Sequence, residues 1–245
     1  MNRFFYPGVI TSPKIQITDQ EEIKHIDRVL RLKIGEEVEI CDTAGRVFVA
    51  VLLDIQKKEV TLLCGEEDTT MREMPIEVDL YQGLPKGSKM DVIIQKNVEL
   101  GIHAIRAVEF TRCVSRIKDS FDSGKLDRWQ KIADEASKQA KRNKRTVIEK
   151  AVHGRELSQL LSDYDLVLVA YEKATQSLKA ILKEQSPKRV AIVIGPEGGF
   201  EADEVEVLQK AGAKVVSLGA RILRTETAAM CLLSNLSYAY ENQGE

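Results

Sequence analysis

The sequence has no CxxC pair, no cysteine–histidine cluster and no long apolar run, and it is short of aromatic side chains. Its four cysteines, Cys41, Cys64, Cys113 and Cys231, are scattered, and the histidines are His25, His103 and His153. Without close ligand spacing, neither structural zinc nor a disulfide framework is expected; free thiols in a reducing compartment fit the pattern. No stretch approaches the ~18 apolar residues a membrane span requires. The segment Met1–Pro7 lacks the apolar core of a signal peptide. A soluble, cytoplasmic protein is expected. Aromatic residues make up 5% of the chain, so the core must come mainly from Val, Ile, Leu and Ala. With 15 Gly and 6 Pro, the composition is neither collagen-like nor disordered. The net charge of −2 excludes a uniformly basic nucleic-acid binder but leaves room for a local basic patch.

What is present divides into two parts, as the length of 245 residues allows. Residues 1–70 read as a small β-rich module around one helix. Thr18-Asp19 caps a helix whose apolar positions are Ile23, Ile26, Val29 and Leu30, and Gly35 closes it. Val38–Cys41, Val47–Asp54 and Glu59–Cys64 alternate as strands, with a turn at Thr43–Arg46, and Gly65–Arg72 reads as a linker. From about residue 75, strands alternate with helices. Ile76–Gln82, Ala104–Phe110, Leu166–Tyr171, Val190–Ile194 and Lys214–Leu218 are apolar runs of the kind that helices cover on both faces of a parallel sheet. Ser88–Asp91 has capping-box spacing before a helix that Gly101 ends. Leu126–Ala136 marks a second helix, and a last one runs from about Thr225 to Tyr240. The fold class is α/β, with a small β domain at 1–70 and an α/β domain at 75–245.

One junction in the second part points to a ligand. In Val190–Phe200 a buried strand enters the glycine loop Gly195-Pro196-Glu197-Gly198-Gly199 and then a helix. Open α/β sheets bind ligands at such strand ends. The loop is neither GxGxxG nor a Walker sequence, and the next helix opens with Glu201, Asp203 and Glu204. Carboxylates at a helix start repel a pyrophosphate, so a dinucleotide is disfavoured, whereas an adenosyl ligand without phosphates is compatible. A second strand-to-helix junction follows at Val215–Ala229. Thr225 would cap its helix and Glu226 would favour the first turn. Capping does not call for Arg221 and Arg224, two arginines three residues apart just before the cap.

Gly195–Gly199 followed by Leu218-Gly219-Ala220-Arg221-Ile222-Leu223-Arg224-Thr225-Glu226-Thr227-Ala228 closely resembles the C-terminal signature of the RsmE family. These are 16S ribosomal RNA uridine-N3 methyltransferases of the SPOUT superfamily. The resemblance runs through essentially the whole chain. It includes Arg3-Phe4-Phe5, His25–Arg31, Lys89-Met90-Asp91 with Gln95-Lys96 and Glu99–Gly101, Arg128-Trp129, Glu135-Ala136, Gln139 and Arg142. Glu201 departs from it where Ser or Thr is common, which weakens an N-cap, and Ala220 occupies a variable position. The resemblance implies a PUA-like β-barrel before a SPOUT α/β domain with a trefoil knot, which runs against the usual topology rules. It further implies a homodimer and S-adenosyl-L-methionine as cofactor; the residues themselves suggest no metal.

Carried onto this chain, the cofactor loops supply Leu168, Val169 and Ala170, then Ile194, Gly195, Pro196, Glu197 and Gly199. The third loop supplies Leu218, Gly219, Leu223, Thr225, Thr227 and Ala228. Methylating N3 of a uridine requires charge stabilisation on O2 and O4 as the imide proton leaves. Arg221 and Arg224 are the candidates, Arg224 foremost. Glu226 is placed to accept the proton, to hold Arg224 or to cap the helix. The RNA partner is 16S ribosomal RNA, free or in the 30S subunit, which must expose the target base. Residues 112–150 hold 12 Lys+Arg against 6 Asp+Glu, whereas residues 1–70 hold 9 against 13. The expected RNA contacts are Arg112, Lys138, Gln139, Lys141, Arg142, Lys144 and Arg145, with Arg3, Arg28 and Arg31 as a second surface. Methylation of another RNA atom, such as a ribose 2′-hydroxyl, and a catalytically silent RNA-binding protein both remain open.

Overall fold

Alternating apolar residues near the amino terminus close a small sheet, and near-continuous apolar strands further on build a larger one. The computed structural model describes residues 1–117 and 123–241. They form two compact units, Met1–Glu73 with Ser137–Arg145, and Met74–Ala136 with Thr146–Glu245. The expected division at residues 70 and 75 made no provision for the return of Ser137–Arg145 to the first unit.

The first unit contains strands β1 (Arg3–Phe5), β2 (Lys14–Ile17), β3 (Glu37–Cys41), β4 (Val47–Ile55) and β5 (Val60–Asp68), and helix α1 (Gln20–Lys24). The sheet order is β1-β3-β4-β5-β2, with β1 parallel to β3 and the remaining pairs antiparallel. Phe4, Ile15, Ile17, Val38, Ile40, Ala50, Leu52, Val60 and Leu62 point inward and meet Ile23 and Ile26. Asp19 caps α1, its carboxylate accepting from the N–H groups of Glu21 and Glu22 at 2.8 and 2.9 Å.

The sequence reading needs four corrections in this unit. The helix does not run on to Gly35. It widens into a π-helical turn over His25–Val29, and Arg31 leaves it at φ 53°. That wider turn leaves Val29 exposed, not in the core. The expected linker Gly65–Arg72 is strand as far as Asp68, because β5 pairs along β4 up to Val47. Finally, β1 and β2 are too short to stand out by periodicity.

The second unit is α/β. In chain order it runs β6 (Glu77–Gly83), α2 (Lys89–Glu99), β7 (Ala104–Glu109), α3 (Ser123–Gln139, whose end enters the first unit) and β8 (Val147–His153). Then come α4 (Leu157–Leu160), β9 (Leu166–Ala170), β10 (Gln176–Ser177), α5 (Leu178–Glu184), β11 (Arg189–Ile194), α6 (Ala202–Lys210), β12 (Lys214–Ser217) and α7 (Thr225–Tyr240). The seven strands are parallel in the order β10-β12-β9-β11-β6-β7-β8. The late strands therefore enter the middle of the sheet, β11 between β6 and β9 and β12 between β9 and β10. Their register sets Gln82, Ile194 and Ala170 side by side, with Val216 next to Ala170.

The core of this unit is aliphatic, as the composition requires. α2 buries Met90, Ile93, Ile94 and Val98, and α7 buries Ala229, Leu232, Leu233, Leu236 and Tyr240. At the amino-terminal ends of the strands, Asp79 accepts from Tyr164 Oη at 2.5 Å and pairs with His103 Nδ1 at 2.7 Å. Burial pushes the Asp79 carboxyl up, but these partners hold it below its usual range. The four cysteines are free thiols. Among the described residues, no helix is long and apolar enough to cross a membrane, and no group of His, Cys, Asp or Glu is placed to hold a metal ion.

Candidate functional site

The carboxyl ends of β9, β11 and β12 open on a cavity of about 530 Å³, within the usual size range for a small-molecule or cofactor site. Ala170 and Ser217 line it from two of these ends. Ile194–Phe200 form one wall and Leu218–Gly219 with Arg221–Thr225 another. The glycine loop packs onto the end of β6 where a side chain is missing: a Cβ on Gly83 would stand 2.4 Å from Pro196 N and 2.7 Å from Gly195 C. Gly199 turns the loop at φ 70°, a region that side chains disfavour.

A buried relay joins the two walls. Gln82 Nε2 donates to Thr225 Oγ1 at 2.7 Å, and Thr225 Oγ1 donates to Gly195 O at 2.6 Å. Thr225 is thus not the cap expected from sequence. Arg224 takes the N-cap position without a side-chain bond, and the threonine hydroxyl faces the glycine loop instead.

The charges sort into held and unheld groups. Glu197 accepts from the Lys86 N–H at 3.2 Å and lies 3.1 Å from Lys89 Nζ. Burial alone would raise its carboxyl, but backbone N–H groups and Lys89 together hold it below the carboxylate range. The acids opening α6 are occupied as well. Glu204 accepts from the N–H groups of Glu201 at 2.9 Å and Thr111 at 2.8 Å, and from the Thr111 hydroxyl. Glu201 is gripped by Arg112 at 2.8 and 2.9 Å, which holds its carboxyl low. Glu201 takes the N-cap position of α6 and its N–H donates to Glu204, but its own carboxylate makes no cap bond, in keeping with the weaker cap expected there. By contrast, Arg221 and Arg224 are exposed at the cavity and have no ion pair or hydrogen-bond partner for their side chains among the described residues.

Of the sequence-selected cofactor residues, Ala170, Ile194, Gly195, Pro196, Glu197, Gly199, Leu218, Gly219, Leu223, Thr225 and Ala228 line the cavity. Leu168 and Val169 do not; they are fully buried inside β9, one turn of the pleat too early. Thr227 is exposed on α7 and also lies off the lining. Glu226 is not in the lining either. Its Oε2 is shut off from solvent and lies 3.5 Å from Lys89 Nζ, so it holds a lysine, a partner not among the three roles the sequence offered, proton acceptor, partner of Arg224 or helix cap. Lining residues that sequence did not select are Lys89, Tyr171, Glu172, Gly198, Phe200, Ser217 and Ile222. The strand-end rule that selected Ala170 also covers Tyr171 and Glu172. Lys89 carries its own signal, a cation on the first position of a helix, where the backbone dipole disfavours it.

The expected RNA residues divide by burial. Arg3 is fully buried, so it cannot form the second RNA surface. It donates to Glu39 at 2.8 Å and to the carbonyls of Lys141 and Arg142. Arg142 is likewise buried, bonded to Glu73, which also accepts from the N–H groups of Asn143 and Lys144. Lys138 binds Glu22 at 2.9 Å and stands 5.5 Å over the Phe4 ring, and Lys141 binds Glu39 at 2.8 Å. Burial would raise Glu39, but Lys141 and Arg3 hold its carboxyl low. Arg112, in the second unit, is tied to Glu201 and Gly198 O. Gln139, Lys144 and Arg145 are exposed. Arg28 and Arg31 are exposed and carry no ion pair among the described residues. Residues 118–122 of the basic stretch lie outside the described residues.

Comparison with known proteins agrees with this layout. Residues 72–237 match an RNA methyltransferase domain family, and residues 17–63 match an RNA methyltransferase PUA domain. The ribosomal RNA small subunit methyltransferase E of Bacillus subtilis is 37% identical over 236 residues, covering 94% of this chain and 92% of the relative. Its counterpart in Buchnera aphidicola is 32% identical, covering 88% and 85%. The crystal structure of a ribosomal RNA small subunit methyltransferase E from Neisseria gonorrhoeae, bound to S-adenosyl methionine, superposes with a TM-score of 0.86. It shares 28% identity and is covered over 98% of each chain.

Proposed function

The chain belongs to the ribosomal RNA small subunit methyltransferase E family, and on that premise we propose that it methylates N3 of a uridine in 16S ribosomal RNA with S-adenosyl-L-methionine. The observation that carries the reading is the strand-end cavity with two unpaired arginines at its wall. The cavity suits the cofactor. Its floor and glycine loop offer backbone polar groups and apolar surface from Ile194, Leu218, Leu223 and Ala228, without a phosphate-binding helix start. Bound there, the cofactor supplies a methyl group activated by a sulfonium. As the N3–CH3 bond forms, the S–CH3 bond breaks with its electron pair staying on sulfur, and the N3 proton passes to a base. Arg221 and Arg224, exposed at the wall and without a competing ion pair among the described residues, stabilise the negative charge that spreads to O2 and O4 of the uracil. Glu226, turned to Lys89, supports this arrangement from behind the wall.

RNA is held by phosphate contacts from exposed basic residues, of which Arg28, Arg31, Lys144 and Arg145 in the first unit are the candidates. The enzyme works in the cytoplasm as a homodimer. Ile222 and Tyr238, 87% and 77% exposed before and within α7, are apolar surface that a second copy would cover. The entry of β11 and β12 into the middle of the sheet supports a trefoil knot around the cofactor loops. The test is to methylate ribosomal RNA and 30S particles from a strain lacking the gene, then locate the product. A 2′-O-methyl product would replace the N3 assignment, and no product would end the enzyme reading. Arg224→Ala is expected to keep the fold and abolish single-turnover methyl transfer, and normal turnover would remove Arg224 from the mechanism.

A further inference from the structure

Lys89 opens α2 where the backbone dipole disfavours a cation. Nothing in its own helix offsets that charge. Ser88 makes no side-chain cap bond, and Asp91, the acid of the first turn, is taken by Arg128 at 2.8 and 2.9 Å. The compensation comes from two distant segments. Lys89 Nζ stands 3.1 Å from Glu197 in the glycine loop and 3.5 Å from Glu226 in the first turn of α7. Its hydrogen bond to Glu197 raises the Lys89 pKa, so the ammonium is firmly charged. A residue that breaks a local rule and is compensated only at a site is a functional candidate.

We propose that Lys89 is a positioning residue for methyl transfer, its ammonium fastening the glycine loop to the start of α7 so that Arg221 and Arg224 are held against the bound cofactor. The inference rests on the methyltransferase reading above. Removing the ammonium would leave the carboxylates of Glu197 and Glu226 facing one another without a counter-charge, and like charges would push the two walls apart. The walls would not come undone, because the bond from Thr225 Oγ1 to Gly195 O remains. The damage would fall on alignment, where misplacement of about 1 Å costs on the order of a hundredfold in rate.

The full-length variants Lys89→Met, Lys89→Arg and Glu226→Gln separate this role from others. The readouts are the single-turnover rate at saturating cofactor and RNA, and S-adenosyl-L-methionine affinity by calorimetry. Lys89→Met is expected to slow the saturated rate by roughly ten- to a hundredfold, with cofactor affinity essentially unchanged. Lys89→Arg, which also spans two carboxylates, should restore most of the rate. Combining Lys89→Met with Glu226→Gln should cost no more than Lys89→Met alone. A wild-type rate in Lys89→Met overturns the proposal. So does weakened cofactor binding with an intact saturated rate, which would make Lys89 a cofactor contact only. Should Lys89→Met fail to fold, Glu226→Gln carries the test, because it keeps Lys89 and Glu197 in place: a slowed rate at unchanged affinity supports the proposal and a wild-type rate overturns it. If the wild-type protein itself transfers no methyl group, the functional reading fails, which is a separate outcome.

Discussion

Gly83 matters through the side chain it lacks. The atoms its Cβ would strike belong to the backbone of Gly195 and Pro196, which cannot rotate away as the end of a side chain can. Gly83→Ala should destabilise the protein by about 1–3 kcal/mol through overpacking and weaken cofactor binding, measured by urea melts and calorimetry; unchanged affinity would mean that the loop can shift. The role of Gly83 was not legible in the sequence, because the backbone it must approach lies more than a hundred positions away. Arg3 and Arg142 were illegible for a related reason. Arginine is usually a surface residue, so only partners distant in sequence, Glu39 and Glu73, reveal that these two are buried. Arg221 and Arg224 were legible because local structure gave them no employment.

Among the elements, α7 shows how a helix can be read correctly and its beginning misread. Its extent and its apolar stripe follow from periodicity alone, and the stripe is core. The role of its first hydroxyl depends on Gln82 and Gly195, which periodicity cannot place. Thr225→Val tests that role. It leaves the Gln82 amide, already buried with its Oε1 unpaired, without its threonine partner, at an expected cost of about 1–3 kcal/mol. Thr225→Ser should cost much less, and equal urea midpoints for the two variants would discount the relay. The central strands of the second sheet were legible because burial on both faces writes continuous apolar runs. The edge strands β8 and β10 were not: one is only half-buried and the other has two exposed residues. The π-helical turn after α1 escaped for a different reason, since its wider pitch breaks the 3.6-residue rule that predicted Val29 in the core.

For the whole molecule, the net charge of −2 conceals a division of labour among the basic residues. Replacing Arg28 and Arg31 together should weaken RNA binding and lower the slope of its salt dependence by about two, one for each phosphate contact. An unchanged slope would move the RNA surface elsewhere. Arg142→Ala should act differently, costing about 3–5 kcal/mol of stability by leaving Glu73 without its counter-charge in a largely buried site. Acid should reach the same unit through Glu39, whose folded carboxyl lies below its ordinary value of 4.5. The stabilisation it provides is complete above the unfolded value and is lost as pH falls through the folded one. Urea midpoints measured across that range should fall with pH, and Glu39→Gln should flatten the fall.

The return of Ser137–Arg145 to the first unit delays that unit's completion past the midpoint of the chain. On the ribosome, the apolar centre of that unit is available once β5 has emerged, yet Arg3 and Glu73 must wait for carbonyls and a guanidinium made past the midpoint of the chain. Until then Arg3 has Glu39 but not its two carbonyls, and Glu73, beyond the end of β5, lacks the Arg142 guanidinium. In consequence, the unit translated first cannot be finished until more than half of the chain has been made.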